Sequence, residues 1–137
     1  MHIDNNLTFD IHVSRICRKA GYQLNALKRT KMSFKPDQCF TVFNSFIMSN
    51  FNFCPLVWHF CGIPTVAKME KVQERALRCI YNDENSSYVT LLAKANTNSL
   101  FISRIQKFAV EVYKIMNDIC PEYMEELVKL KPSPYAL

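Results

Sequence analysis

Glycine is scarce in this sequence, with only Gly21 and Gly62 among 137 residues. That counts against a turn-rich sandwich or barrel, whose corners draw on residues that tolerate unusual backbone. The apolar fraction of 49% counts against disorder. A chain of this length suits one domain able to bury roughly two thirds of its unfolded surface. The expectation is all-α: a compact bundle of about six to seven amphipathic helices, in one helical domain over residues 1–131 with a proline-containing tail at 132–137.

Other absences narrow the setting. The start, MHIDNNLTFD, has no basic residues followed by an apolar run, so it lacks the form of a secretory signal and an intracellular location, nuclear or cytoplasmic, is expected. In a reducing compartment the six cysteines (Cys17, Cys39, Cys54, Cys61, Cys79, Cys120) are expected as free thiols acting as small apolar residues. Residues 38–67 contain no Asp, Glu, Lys or Arg, which raises a membrane span as an alternative. Asn44, Ser45, Ser49, Asn50, Asn52 and Pro55 interrupt that stretch, and a spanning helix wants about 20 mostly apolar residues. A buried central hairpin is expected instead, and no membrane partner.

Catalytic signatures are missing too. There is no glycine-rich phosphate loop, no strained elbow presenting a nucleophile and no internal repeat. Paired carboxylates occur only as Asp83 with Glu84 and Glu125 with Glu126, which read as solvated charge. The stretch FNFCPLVWHFC, residues 51–61, offers Cys54, His59 and Cys61 as zinc-type atoms. Structural zinc takes about four ligands, in pairs two to four residues apart, and no second pair exists. The favoured reading is core: an aromatic cluster around Trp58 with buried thiols and one histidine. No metal and no cofactor is expected in this chain.

What is present is a succession of amphipathic patterns. The first starts near Thr8 and places Phe9, Val13, Ile16, Cys17, Ala20, Leu24 and Leu27 on one face at about 100° per residue. Arg15, Arg18, Lys19 and Arg29 project opposite with Tyr22, and residues 15–35 hold seven basic residues and no acidic one. A second helix is expected from Pro36 through Phe40, Phe43, Phe46 and Ile47 to near Asn50, Pro suiting a first turn. Pro55 then opens a short third helix, CPLVWHFC, closed by Gly62 and Pro64. The fourth pattern, PTVAKMEKVQERALRCIYND, buries Val66, Met69, Val72, Ala76, Leu77 and Ile80, with Lys68, Lys71, Arg75 and Arg78 outside. Glu74 stands four residues before Arg78, an order in which part of this charge serves helix stability alone.

Ser86 or Ser87 caps a short helix carrying Val89, Leu91 and Leu92, and NTNSL caps a long one. In that long helix Ile102, Ile105, Phe108, Ala109, Val112 and Met116 are expected inside, with Arg104, Lys107, Glu111 and Lys114 outside. Pro121 opens a last short helix, EYMEELVKL.

Taken in order, IDNNLTFDIHV, FNFCPLVW, KVQERALRCIYND and IQKFAVEVYKIMNDICPEYM resemble the reverse transcriptase of jockey-type non-LTR (LINE-like) retrotransposons. The similarity runs from about residue 3 to about residue 127 and falls on the thumb and the helical region downstream of the polymerase palm. It implies part of an RNA-directed DNA polymerase, whose two Mg2+ ions sit on palm aspartates. The family's Tyr-x-Asp-Asp motif lies upstream of the IDNNLTF equivalent, and this sequence has no adjacent Asp-Asp. The resemblance therefore implies a fragment or truncated reading frame without palm and fingers, and no catalytic residue here.

The implied role is nonspecific binding of an RNA/DNA template–primer duplex through Arg15, Arg18, Lys19, Arg29, Lys68, Lys71, Arg75 and Arg78. The alternative is an inert retroelement remnant or a small protein-interaction module whose charges only meet solvent. The two readings part on geometry: the first requires the two basic faces to share a surface.

Overall fold

In a computed structural model the chain is described at residue 5 and at residues 8–59, 61–121 and 123–124. These residues form six α-helices and no strand: α1 (Asp10–Thr30), α2 (Pro36–Val42), α3 (Ser49–Asn52), α4 (Ile63–Tyr81), α5 (Tyr88–Lys94) and α6 (Leu100–Met116). The all-α expectation holds. No described helix is long and apolar enough to cross a membrane. The chain divides into two compact units, residues 1–104 and 105–137.

In the first unit, α1 and α4 are the frame, and they run side by side in the same direction. Thr65, in the first turn of α4, donates its hydroxyl proton to the Asp10 carboxylate that opens α1. At the other end Lys31 Nζ, just past α1, donates to the Cys79 carbonyl at 3.3 Å and to Asn82 Oδ1 at 2.6 Å. Between these ties Val13, Ala20, Leu24 and Leu27 of α1 meet Met69, Val72, Ala76 and Ile80 of α4 in one buried cluster, as the periodicity predicts. Asn82 ends α4 in a left-handed conformation (φ 51°), its N–H returning to the Arg78 carbonyl. Asparagine tolerates that region better than most residues. Phe9, expected as the first residue on the α1 face, instead precedes the helix with φ 56° and is buried there.

The segment between α2 and α3 departs from a regular helix in a way that serves the core. Residues 43–47 form a π turn, closed by the Met48 N–H on the Phe43 carbonyl at 2.9 Å. Cys39, Phe43, Ile47 and Phe51 are all buried, at intervals of four. In a plain α-helix each step of four overshoots a full turn by about 40°; the wider turn absorbs the overshoot and keeps the four in line. Phe46, expected inside, is exposed as a result.

The expected third helix at CPLVWHFC does not form. Cys54 takes φ 45°, and a residue before proline is disfavoured in the α region, so the chain turns instead. Val57 N–H to Cys54 O and Cys61 N–H to Trp58 O are three-residue closures at 3.2 Å each. Pro64 sits in the first turn of α4, where the fourth pattern begins. Core remains the right description for Trp58, which is fully buried with its indole N–H on the Phe53 carbonyl at 3.1 Å. It is wrong for Cys54 and Phe53, which are exposed; Phe60 lies outside the described residues.

Ser87 caps α5 by accepting from the Thr90 N–H, while Ser86 donates to Asp83 Oδ2 at 2.7 Å. Leu91 is buried against Leu77, whereas Val89, expected alongside it, is exposed. Ser99 accepts from the Ile102 N–H at 3.3 Å, so a serine of NTNSL does cap α6.

The expected faces of α6 are reversed where they can be compared. Leu100 and Arg104, four apart, are buried, and Ile102 is exposed. Apolar residues surround this helix, so periodicity alone does not choose its inner side; Arg104 goes inward because Trp58 offers it an aromatic face. In the second unit Ile105, Phe108 and Met116 are exposed and Ile115 is buried. Lys114 bonds Glu111 at 2.9 Å. Of EYMEELVKL only Tyr123 and Met124 are described, and residues 132–137 lie outside the described residues.

Candidate nucleic-acid interface

The basic side chains singled out from the sequence do project outward. Arg15, Arg18, Lys19, Arg29, Lys68, Lys71 and Arg75 are exposed, and Arg78 is half-buried. At 100° per residue Arg15, Arg18 and Arg29 fall within an arc of about 60° on α1, and Lys68, Lys71 and Arg75 within a similar arc on α4. Lys68 lies near the α1 thiol Cys17: burial pushes that thiol up to about 11, and the Lys68 ammonium acts against the shift, with Cys61 adding to it.

The two faces meet toward the ends of the paired helices. A cavity of about 500 Å3 opens between α1 and α4, lined by Gly21, Leu24, Asn25, Lys28, Lys31, Arg75, Arg78, Cys79, Asn82 and Glu84. A shallower depression formed by Tyr22, Asn25, Lys28 and Arg29 shares Asn25 and Lys28 with it. Basic surface is thus continuous from Arg29 through Lys28 to Arg75. Arg15 and Arg18 line a separate depression near the start of α1 with Asp10, Ile11 and Ser14. Lys19 is the outlier, since nine residues separate it from Lys28 and set the two about 180° apart round the helix.

Two of these cations are already engaged. Arg78 holds the Glu74 carboxylate through Nε and Nη2 at 3.2 and 2.8 Å, and its Nη1 reaches the carbonyls of Asp83 and Glu84. Its role is local: it ties α4 to the following loop, as the four-residue spacing from Glu74 suggests. Lys31 is engaged with Cys79 and Asn82 as above. Lys28 and Arg75 are exposed in the same cavity and make no ion pair among the described residues.

Lys28 and Lys31 are functional candidates that sequence reasoning missed. Both belong to the acid-free run after Arg15, but Lys28 sits on the flank of α1 rather than opposite its core, and only the docking of α4 on that flank gives it company. Among the described residues no group of three His, Cys, Asp or Glu is arranged to hold a metal ion. The would-be ligands Cys54 and Cys61 are separated by exposure, the first open to solvent and the second buried.

No family model matches the chain, and no curated protein or solved structure does so either.

Proposed function

We propose that this chain is a thumb-side helical fragment of a non-LTR retrotransposon reverse transcriptase, and that it binds template–primer duplex without sequence preference and without polymerase activity of its own. The observation that supports binding is the shared cavity: Lys28 and Lys31 from the α1 side and Arg75 and Arg78 from α4 line one recess, so the two basic faces are not back to back. Phosphate neutralisation on such a surface releases counterions, and binding weakens steeply with salt. Engaging four phosphates gives a log–log salt slope near −4, at about −0.9 each, with micromolar or weaker affinity at physiological salt.

Fluorescence anisotropy of a labelled RNA–DNA primer–template, titrated at several salt concentrations, tests this. The combined variant Arg15→Gln, Arg18→Gln, Arg29→Gln is expected to weaken binding alike for all sequences and to flatten the slope by about 0.9 per lost contact. Lys19→Gln, on the flank away from Lys28, is expected to do less. Undetectable wild-type binding at low salt, or a triple variant that binds like wild type, sinks the proposal. The competing reading, a protein-interaction module, draws on exposed Phe53, Val57, Ile63, Phe101 and Ile102, and would then stand.

A further inference from the structure

We infer that the α1–α4 cavity is a discrete seat for one backbone phosphate, with Lys28 and Arg75 as its donors; this rests on the nucleic-acid reading above and deepens it. Four cations and one carboxylate, Glu84, line the cavity, but they do not have equal freedom. The last carbonyls of a helix carry partial negative charge and attract cations. Lys31 is spent there, on the Cys79 carbonyl and Asn82, and Arg78 is spent on Glu74 and the loop carbonyls of Asp83 and Glu84. These two satisfy those acceptors, and the four cations of the lining outnumber its one carboxylate, Glu84. Lys28 and Arg75 remain, exposed and on opposite walls, one on each helix.

Among the described residues the cavity is lined by no aromatic side chain on which a base stacks. Asn25, Asn82 and the Cys79 thiol are its uncharged polar side-chain groups. The chemistry therefore suits a phosphate rather than a base edge, consistent with contacts that position a duplex without reading it. Gly21 leaves the space open: a Cβ built at that position meets no atom within 4 Å, and the residue lines the cavity. A larger side chain there occupies the recess while leaving the charge of the protein unchanged.

This property supplies the test, again by anisotropy on the labelled primer–template. Gly21→Phe is expected to reduce affinity about tenfold, the scale of one lost hydrogen bond to a charged group, whereas Gly21→Ala leaves affinity unchanged. Neither variant is expected to unfold the chain, because both residues favour a helix more than glycine does, and circular dichroism checks that. In parallel, Lys28→Gln with Arg75→Gln is expected to lose more affinity than Arg15→Gln with Arg18→Gln, although both pairs remove two charges. If Gly21→Phe binds like wild type and the two pairs lose affinity equally, the cavity is empty in the complex. The seat is then overturned while general electrostatic binding survives. If wild type does not bind duplex at all, both readings fall together. A calorimetric titration separates the remaining source: inorganic phosphate bound by wild type and lost in Gly21→Phe, with duplex affinity unaffected, assigns the cavity to a free anion and overturns the backbone seat.

Discussion

Gln73 and Arg104 are both buried polar side chains, exposed by only 1% and 3%, and they are treated in opposite ways by their surroundings. Gln73 Oε1 accepts from the Leu100 N–H at 3.0 Å and from the Tyr88 hydroxyl at 2.8 Å, and its Nε2 donates to the Asn98 carbonyl at 3.0 Å. Glu70, one turn earlier, takes the Phe101 N–H at 2.7 Å and shares the single Tyr88 hydroxyl proton with Gln73. Burial, and then the hydrogen bond to Glu70, push the Tyr88 phenol well above its usual value, so it stays a donor. Two of the N–H groups that the start of α6 leaves orphaned are thus capped by side chains of α4. Arg104 lies four residues after Leu100 and has no such company. Its Nη1 donates to the Cys61 sulfur at 3.8 Å, its guanidinium lies 5.3 Å from the centre of the Trp58 ring and 6.0 Å from that of Phe101, and its Nε and Nη2 have no hydrogen-bond partner among the described residues. Gln73 makes every polar atom of its side chain useful in fixing α6, while Arg104 is a buried cation held by packing, cation–π attraction and one weak bond to sulfur.

The largest effect expected from this contrast is at Gln73. Replacing it with leucine, similar in size, strands the buried Leu100 N–H, and a stranded buried group costs about 1–3 kcal/mol. Urea denaturation of Gln73→Leu is therefore expected to show a loss of about 1–3 kcal/mol from that group. A loss below about 0.5 kcal/mol, the scatter of neutral surface changes, shows that water or a shifted backbone replaces the glutamine and removes its side of the comparison.

Arg104→Met is expected to do the reverse of what deleting a buried polar residue usually does. It removes a charge with no counter-ion among the described residues, whose burial costs several kcal/mol, and forfeits cation–π attraction of about 2 kcal/mol or more for a desolvated pair. The folded state should be unchanged or more stable by the same urea measurement. A loss comparable with that of Gln73→Leu would mean that the guanidinium has a partner worth keeping, and the contrast would collapse.

The contrast also marks how far the sequence could be read. The framework was legible: periodicity places Val13, Ala20, Leu24 and Leu27 of α1 and Met69, Val72 and Ala76 of α4 inside, where they are, because each pattern alternates cleanly with charge. Most of the basic candidates were legible for the same reason, since a cation opposite an apolar stripe has only solvent to face. Arg104 and Lys28 were not. Leu100, Phe101, Ile102 and Ile105 surround α6 with apolar choices, so its inner face is decided by Trp58 and by the Gln73 and Glu70 caps, long-range partners with no local signature. Lys28 gains its place from α4, about 50 residues away in the chain. The turn at residues 53–61 escaped as well, because a proline reads equally as the start of a helix and as the disruptor of the residue before it.

The smallest effect, a pH dependence, sharpens the Arg104 side of the comparison. The His59 imidazole is held below its ordinary value, first by burial and then by the positive charge of Arg104. A lowered value means that the folded state takes up its proton later than the unfolded chain does. Above the unfolded value of 6.5 both states are neutral and this group contributes no pH dependence. As the pH falls below it the unfolded chain binds the proton first, and stability declines until the folded imidazole is also protonated. Asp83, whose carboxylate is lowered by its hydrogen bonds to Ser86, also costs stability in acid, but only around and below the ordinary carboxylate range of about 4, so it does not contribute above about pH 5.5. Urea midpoints at about pH 7.5 and about pH 5.5 isolate the histidine window. Wild type is expected to lose stability across it, His59→Gln to lose less, and Arg104→Met to fall between them, because removing the guanidinium leaves burial, the larger cause, in place. If Arg104→Met shows the full wild-type drop, the guanidinium charge does not reach His59, and Arg104 is electrostatically silent at the place where it is buried.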